Sequence, residues 1–345
     1  PFTSVLLEEE KLYGFLSGVF ATGKSVLFTY GDDVKAYVAG DSVEELAIPA
    51  AEKEVIAKMI SDSEYWGGIL NETGELIADP ATPAPGPHYY TNLLIGNRIG
   101  FDRPLQSTPK SAIDRLGGGC FRSHADTQVL ATRWDYLPEE NGFPANRQFY
   151  LTENGKKIFY SGSAIAENLV SVKTVHSQNR TEISYVLADG LEVKRTIFIL
   201  PQEDGLPLAS EAQMIQIKNN GAADRNLRIV YTGMFGTSQV HALSEDVIFT
   251  TVVEQSEVFY GEDNTIRAIS ANPNPVWTKG NIRFSTLLVH QDGKVVFPDE
   301  FCSRYAEFVG SGSLENPQFI AHLASKPSRK GPGFFALATK FVVKA

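Results

Sequence analysis

The sequence predicts a mainly β protein, a large antiparallel β-sandwich with few helices, and three observations carry that prediction. Between residues 181 and 200 the side chains alternate: Ile183, Tyr185 and Leu187 against Glu182, Ser184 and Val186, then Leu191, Val193, Ile197 and Ile199 against Glu192, Lys194 and Thr196. A period of two puts one set on a core and the other toward water or a second layer. Asp189-Gly190 joins the two runs, and that pair tolerates the positive φ angles of a tight hairpin turn. The pattern then continues through residues 214–218 and 225–232, linked by the polar turn Asn219-Asn220-Gly221. Pro201 removes a ladder donor and is expected to close its strand.

Taken in order, residues 1–48 mix short apolar runs with the turns Gly31-Asp32-Asp33 and Gly40-Asp41, and read as strands. Residues 49–62 read as a helix. Pro49 suits a first helical turn, and Val55, Ile56, Met59 and Ile60 form an apolar stripe opposite Glu52, Lys53 and Lys58. Four prolines and a glycine within residues 79–87 mark a loop and a boundary, which divides the chain into a β-rich segment over 1–80 and a sandwich over 88–345. Residues 100–122 are rich in turn signals and end near Gly117-Gly118-Gly119, with strands resuming at Gln128. Later strands are expected over 247–260, 265–269 and 282–290, with turns at Glu262-Asp263-Asn264 and Asp292-Gly293, and a single helical turn within 314–323.

Composition narrows the function classes. A chain of 345 residues that is 43% hydrophobic and 21% charged can bury a substantial core and is not disordered by composition. A formal net charge of −10 repels phosphate backbones and anionic lipid, so neither nucleic acid nor a membrane is an expected partner. Cys120 and Cys302 do not make a disulfide framework, and the cytoplasm is the expected compartment. The chain begins with Pro1 and ends on an apolar run, Phe341-Val342-Val343, that reads as an unfinished strand, so a fragment of a longer protein is expected.

The motifs need weighing against their context. Gly18 to Ser25, with Gly23-Lys24-Ser25 at its end, satisfies the phosphate-loop pattern to the letter. That chemistry needs a loop feeding a helix, so that backbone N–H groups converge on the phosphates. Here Val26-Leu27-Phe28-Thr29-Tyr30-Gly31 follows, a strand-type run, and the motif is expected to be a glycine-containing turn. The six histidines are scattered; His124-Ala125-Asp126 reads as local hydrogen bonding rather than a metal site. No metal, cofactor or catalytic pair is assigned. Thr132-Arg133-Trp134-Asp135-Tyr136 is the more informative stretch. Trp and Tyr faces stack on sugar rings while Arg and Asp hydrogen-bond hydroxyls, which suits carbohydrate and makes Arg133, Trp134 and Tyr136 the candidate sugar contacts; a core Trp with an ion-paired Arg is the more ordinary reading, because large aromatics in strands are usually buried.

Those residues carry a resemblance. Gly117-Gly118-Gly119 followed by Thr132-Arg133-Trp134 resembles the corresponding stretch of glycoside hydrolase family 94, which contains cellobiose, chitobiose and 1,2-β-oligoglucan phosphorylases and part of the cyclic β-1,2-glucan synthases. The similarity extends through residues 147–151, 194–201 and 216–221. It is seen again in 301–317, where Arg304, Phe308, Gly310, Ser313-Leu314 and Asn316-Pro317 look like the segment closing the family's N-terminal domain. It covers roughly residues 88–345; residues 1–80 match no family pattern. The resemblance implies a galactose-mutarotase-like supersandwich joined to an (α/α)6 barrel that would follow Ala345 and hold the general acid and phosphate site. It implies inverting phosphorolysis of a β-linked oligosaccharide with inorganic phosphate as co-substrate and no cofactor, and a homodimer. A carbohydrate-binding module without a barrel and a nucleotide-binding enzyme are the competing readings.

Overall fold

The protein is described by a computed structural model, which describes residues 25–29, 35–39, 43–46, 50, 53–54, 68–81, 92–95, 109–123, 128–130, 147–200, 210–235, 256–270, 283–329 and 333–345. The chain divides into two compact units, one of residues 1–85 with 175–177 and one of 86–174 with 178–345. In the first, β1 (Ser25–Thr29), β2 (Lys35–Ala39) and β3 (Val43–Leu46) form an antiparallel meander. A hairpin of β4 (Gly68–Leu70) and β5 (Leu76–Ala78) follows. Asn71 organises its turn: the side-chain oxygen accepts the Thr73 and Glu75 backbone N–H groups at 3.1 and 2.8 Å. Of the helix expected over 49–62, residues 50, 53 and 54 are helical and the rest lie outside the described residues.

The second unit holds the sandwich. Its strands are β6 (Asn92–Ile95), β7 (Pro109–Ile113), β8 (Gly119–Ser123), β9 (Gln128–Leu130), β10 (Gln148–Glu153), β11 (Lys156–Tyr160), β12 (Leu169–His176), β13 (Thr181–Leu187), β14 (Leu191–Ile199), β15 (Glu211–Asn219) and β16 (Arg225–Met234). They continue with β17 (Ser256–Tyr260), β18 (Ile266–Ser270), β19 (Arg283–Ser285), β20 (Val289–Gln291), β21 (Lys294–Val296), β22 (Glu300–Cys302) and β23 (Phe334–Val343). One short helix, α1 (Tyr305–Val309), lies between β22 and β23. It is this segment that is helical; residues 314–323, where a helical turn was expected, form hydrogen-bonded turns. Residues 100–122, expected to be turn-rich, contain β7 and β8, and Pro109 sits at the first position of its strand, where a missing N–H is tolerated.

One sheet runs in the order β11-β10-β16-β23-β22, and the strands facing it run β15-β14-β13-β12. The β13–β14 hairpin has the register the alternation predicts, with Tyr185 opposite Val193 and Gly190 at φ 90° in the turn. Ile183, Tyr185, Leu187, Leu191 and Val193 are all buried, against Phe149, Leu151, Leu227, Ile229, Phe335 and Leu337 of the other sheet. The opposite faces of β13 and β14 are polar, with Lys194 Nζ 3.0 Å from Glu182.

The five-stranded sheet differs because both of its faces are covered. Tyr150, Tyr160, Val230, Phe334, Ala336 and Ala338 point away from the sandwich core and pack beneath α1 and the following turns, through Phe308, Val309, Leu314, Ile320 and Leu323. A strand buried on both sides needs no alternation, and Phe334–Ala338 reads accordingly as five consecutive apolar residues. Polar ties fix the cover: the Tyr150 hydroxyl donates to the Leu314 carbonyl at 2.5 Å, and Arg228 donates to the Ile320 carbonyl and to Glu300, both at 2.6 Å. Burial acts to raise the Glu300 pKa, but the Leu323 N–H, His322 and Arg228 together outweigh it and hold the carboxyl below its usual range. Cys302 is buried, and burial pushes its thiol pKa up, consistent with packing rather than reactivity.

Candidate functional site

The glycine triplet and two fully buried arginines form the most elaborate polar construction among the described residues. The β7–β8 turn closes through Asp114, whose backbone N–H donates to the Gly118 carbonyl while its side-chain oxygen accepts the Leu116 and Gly118 N–H groups, both at 2.8 Å. The carbonyls of the turn are taken up by side chains from elsewhere. Thr174 bonds the Arg115 carbonyl, Gln148 and Arg195 share that of Leu116, and Arg147 takes those of Ala112 and Gly118. Gly117 and Gly119 have φ of 80° and 112°; a Cβ at the first would run into the Arg195 guanidinium and at the second into the Ala112 carbonyl. These positions admit only glycine.

Arg147 is the hub. It is 0% exposed and has φ 63°. All five of its guanidinium N–H groups find acceptors: Glu211 through Nε at 2.6 Å and Nη2 at 3.0 Å, Ser111 Oγ at 2.9 Å, and the two turn carbonyls. Arg195, also 0% exposed, donates to Gln213 and Leu116, and to the main-chain carbonyl of Arg147 itself. Among the described residues no carboxylate partners it. Burial lowers the pKa of its guanidinium, and burial likewise pushes the neighbouring Tyr185 and Tyr231 hydroxyls up to about 12. They are hydrogen-bonding groups rather than acid–base groups at neutral pH: Tyr185 donates to the Ser161 carbonyl at 3.0 Å.

Because Asp114, Gln148, Arg147, Thr174 and Arg195 engage the N–H groups and carbonyls of this turn, the glycine triplet is a structural staple and not a cradle for phosphate. It fastens both sides of one stretch of chain. β9 ends at Leu130 and is paired to β8, which springs from Gly119; Arg147 opens β10 and reaches back to the same turn. Arg133, Trp134 and Tyr136 lie between these two ends, outside the described residues, as do His124 and Asp126. Sequence reasoning missed Arg195 and gave Arg147 no role. The signal for Arg195 was available, since it shares the core parity of Val193 and Ile197.

The run after the phosphate-loop pattern is a strand, as its context predicts, while the turn expected over the pattern itself falls outside the described residues. Ser25 opens strand β1, which pairs antiparallel with β2; Gly18 to Lys24 lie outside the described residues. ATP with Mg²⁺ is therefore expected to leave the melting temperature unchanged, since a ligand that binds only the native state must raise it. A rise that vanishes in Lys24→Ala reverses this reading. Among the described residues no group of His, Cys, Asp and Glu is arranged to hold a metal, and no helix is long and apolar enough to cross a membrane.

Comparison with known proteins agrees with this geometry. No curated protein matches the chain. The family model for the glycosyl hydrolase 94 supersandwich domain matches residues 109–344, which takes in the glycine turn, both buried arginines and the two facing sheets. That match covers more than half of the chain, and the protein belongs to the glycosyl hydrolase 94 supersandwich family.

Proposed function

We propose that the chain is the N-terminal β-sandwich of an inverting glycoside phosphorylase, which cleaves β-glucosides or β-glucans reversibly to glucose 1-phosphate. The observation that carries this is the family membership across residues 109–344. In the proposed reaction an aspartic acid protonates the leaving glycosidic oxygen while phosphate attacks the anomeric carbon from the opposite face. Phosphate replaces an activated water, so no catalytic base is required. Acid and phosphate site belong to an (α/α)6 barrel outside these residues, and this chain alone is inert. Its own contribution is packing against the barrel, homodimer contacts and one edge of the sugar site, with Arg133 and Tyr136 as the proposed sugar contacts and Trp134 as the core ring beside them. The enzyme works in the cytoplasm with inorganic phosphate as its only co-substrate.

The test compares Arg133→Ala and Trp134→Ala in two measurements, unfolding free energy of this chain and phosphorolysis by the full-length enzyme. By the alternation of a strand, Trp134 would share parity with Leu130 and Thr132, and Arg133 with Val129 and Ala131, so at most one of the two would face the core. A core indole costs about 3–5 kcal/mol on truncation. We expect that cost for Trp134, and for Arg133 lost oligosaccharide turnover at unchanged stability. Wild-type values of both quantities in Arg133→Ala abolish the assignment.

A further inference from the structure

A row of three side chains crosses the outer face of the β17-β18-β19 sheet. Phe259 stands directly opposite Arg267, and Arg267 directly opposite Phe284. Directly paired residues of antiparallel strands project from the same face. The neighbouring row, Val258, Ala268 and Arg283, is buried, so the aromatic row faces outward; Phe284 is 43% exposed and Phe259 half-buried. Single exposed phenylalanines are ordinary. Two in register on either side of a fixed guanidinium are a different object.

The guanidinium is held. Arg267 donates through Nε to Thr265 Oγ1 at 3.0 Å and through Nη2 to Asp263, which leaves Nη1 without a partner among the described residues. Glu257, exposed, lies two residues from Phe259 on the same face. Among the described residues neither ring has an aromatic partner. The row thus offers two rings two strands apart, a separation of roughly 9–10 Å from the spacing of paired strands. A donor stands between them and an acceptor at the side.

We propose that this face binds a chain of β-linked glucose units, with Phe259 and Phe284 stacking on alternate pyranose rings and Arg267 and Glu257 bonding hydroxyls. Equatorial substitution leaves each β-glucosyl ring with apolar C–H faces and keeps a 1,4-linked chain extended, so that alternate faces meet a straight row. An α-linked chain curves away from it. The choice of β-linked glucose rests on the function proposed above; the platform rests on register and exposure.

The experiment titrates the 345-residue chain with linear β-linked glucohexaoses, and with maltohexaose as the α-linked control, by calorimetry. Binding of a β-linked hexaose is expected, weakened at least tenfold in Phe259→Ala and in Phe284→Ala, a few-fold in Arg267→Ala, and unchanged in Phe297→Ala, an exposed ring outside the row. Melting temperatures should stay at the wild-type value. If an alanine variant unfolds, Phe284→Leu is read instead, since it keeps apolar volume and loses the flat ring. Absent binding of every β-linked hexaose, equal binding of maltohexaose, or wild-type affinity in the phenylalanine variants overturns the proposal. Loss of binding in Arg133→Ala, with wild-type affinity in the phenylalanine variants, overturns the platform and leaves the proposed sugar edge standing.

Discussion

Replacing Arg147 by methionine is expected to lower the unfolding free energy by about 3–5 kcal/mol, the cost typical of breaking a buried ion pair from one side. The side chain is fully enclosed and its bidentate partner Glu211 is 4% exposed, so the substitution strands a carboxylate away from water. It also strips acceptors' partners from Ser111, Ala112 and Gly118. An abandoned buried acceptor costs about 1–3 kcal/mol when nothing replaces it, so these losses place the variant toward the upper end of the ion-pair range. The second variant isolates the charge: Arg147→Met with Glu211→Leu removes both partners and should recover part of the loss, because an apolar pair of similar volume is often neutral relative to a buried ion pair. Denaturant titration of the three variants measures this. A loss below about 1 kcal/mol for Arg147→Met would mean that the network holds nothing together.

Gly119→Ala should cost roughly 3 kcal/mol or more, since strain in a glycine-only backbone region of about 1–3 kcal/mol adds to a collision. At φ 112° an L side chain is strained, and the obstacle at Gly119 is the Ala112 main chain, which has no rotamer with which to yield. Gly293→Ala supplies the comparison. Gly293 also has positive φ, 73°, in the β20–β21 turn, but nothing lies within 4 Å of the added methyl. There only the left-handed backbone penalty applies, about 1–2 kcal/mol. Equal melting-temperature losses for the two variants would count against a closely fitted β7–β8 turn.

The contrast between local and distant information explains what the sequence discloses. The β13–β14 hairpin is legible because alternation and Asp189-Gly190 act over neighbouring residues, and the structure places Thr181–Leu187 and Leu191–Ile199 as paired strands. The last strand is legible only in kind. Its apolar run signals burial, while its place between β16 and β22 depends on pairings with residues far away in the chain. The arginine clamp is the least legible part, since Arg147 and Glu211 are 64 residues apart and meet only once two sheets and a turn are assembled. A charged residue at a core parity position, as at Arg195, is the one local trace such a network leaves. Arg133, Trp134 and Tyr136 belong to the opposite case, in which residue chemistry and family resemblance speak and alternation admits both a core and a sugar-facing ring.

The position of β23 has a consequence for biosynthesis. Phe334–Val343 is made after every strand it touches, yet it lies inside the five-stranded sheet, matched to β16 along ten residue pairs from Arg225↔Val343 to Met234↔Phe334. While the ribosome still holds those residues, β16 has one open edge, and Val230 and Tyr231 have lost neighbours on both faces. The nascent sandwich therefore waits with a gap at its middle rather than at its margin, in the state most prone to pair with a neighbouring chain. Completion is a late, single insertion of long-range contacts, which makes folding of this domain slow and its yield sensitive to the rate at which the last ten residues of that sheet are delivered.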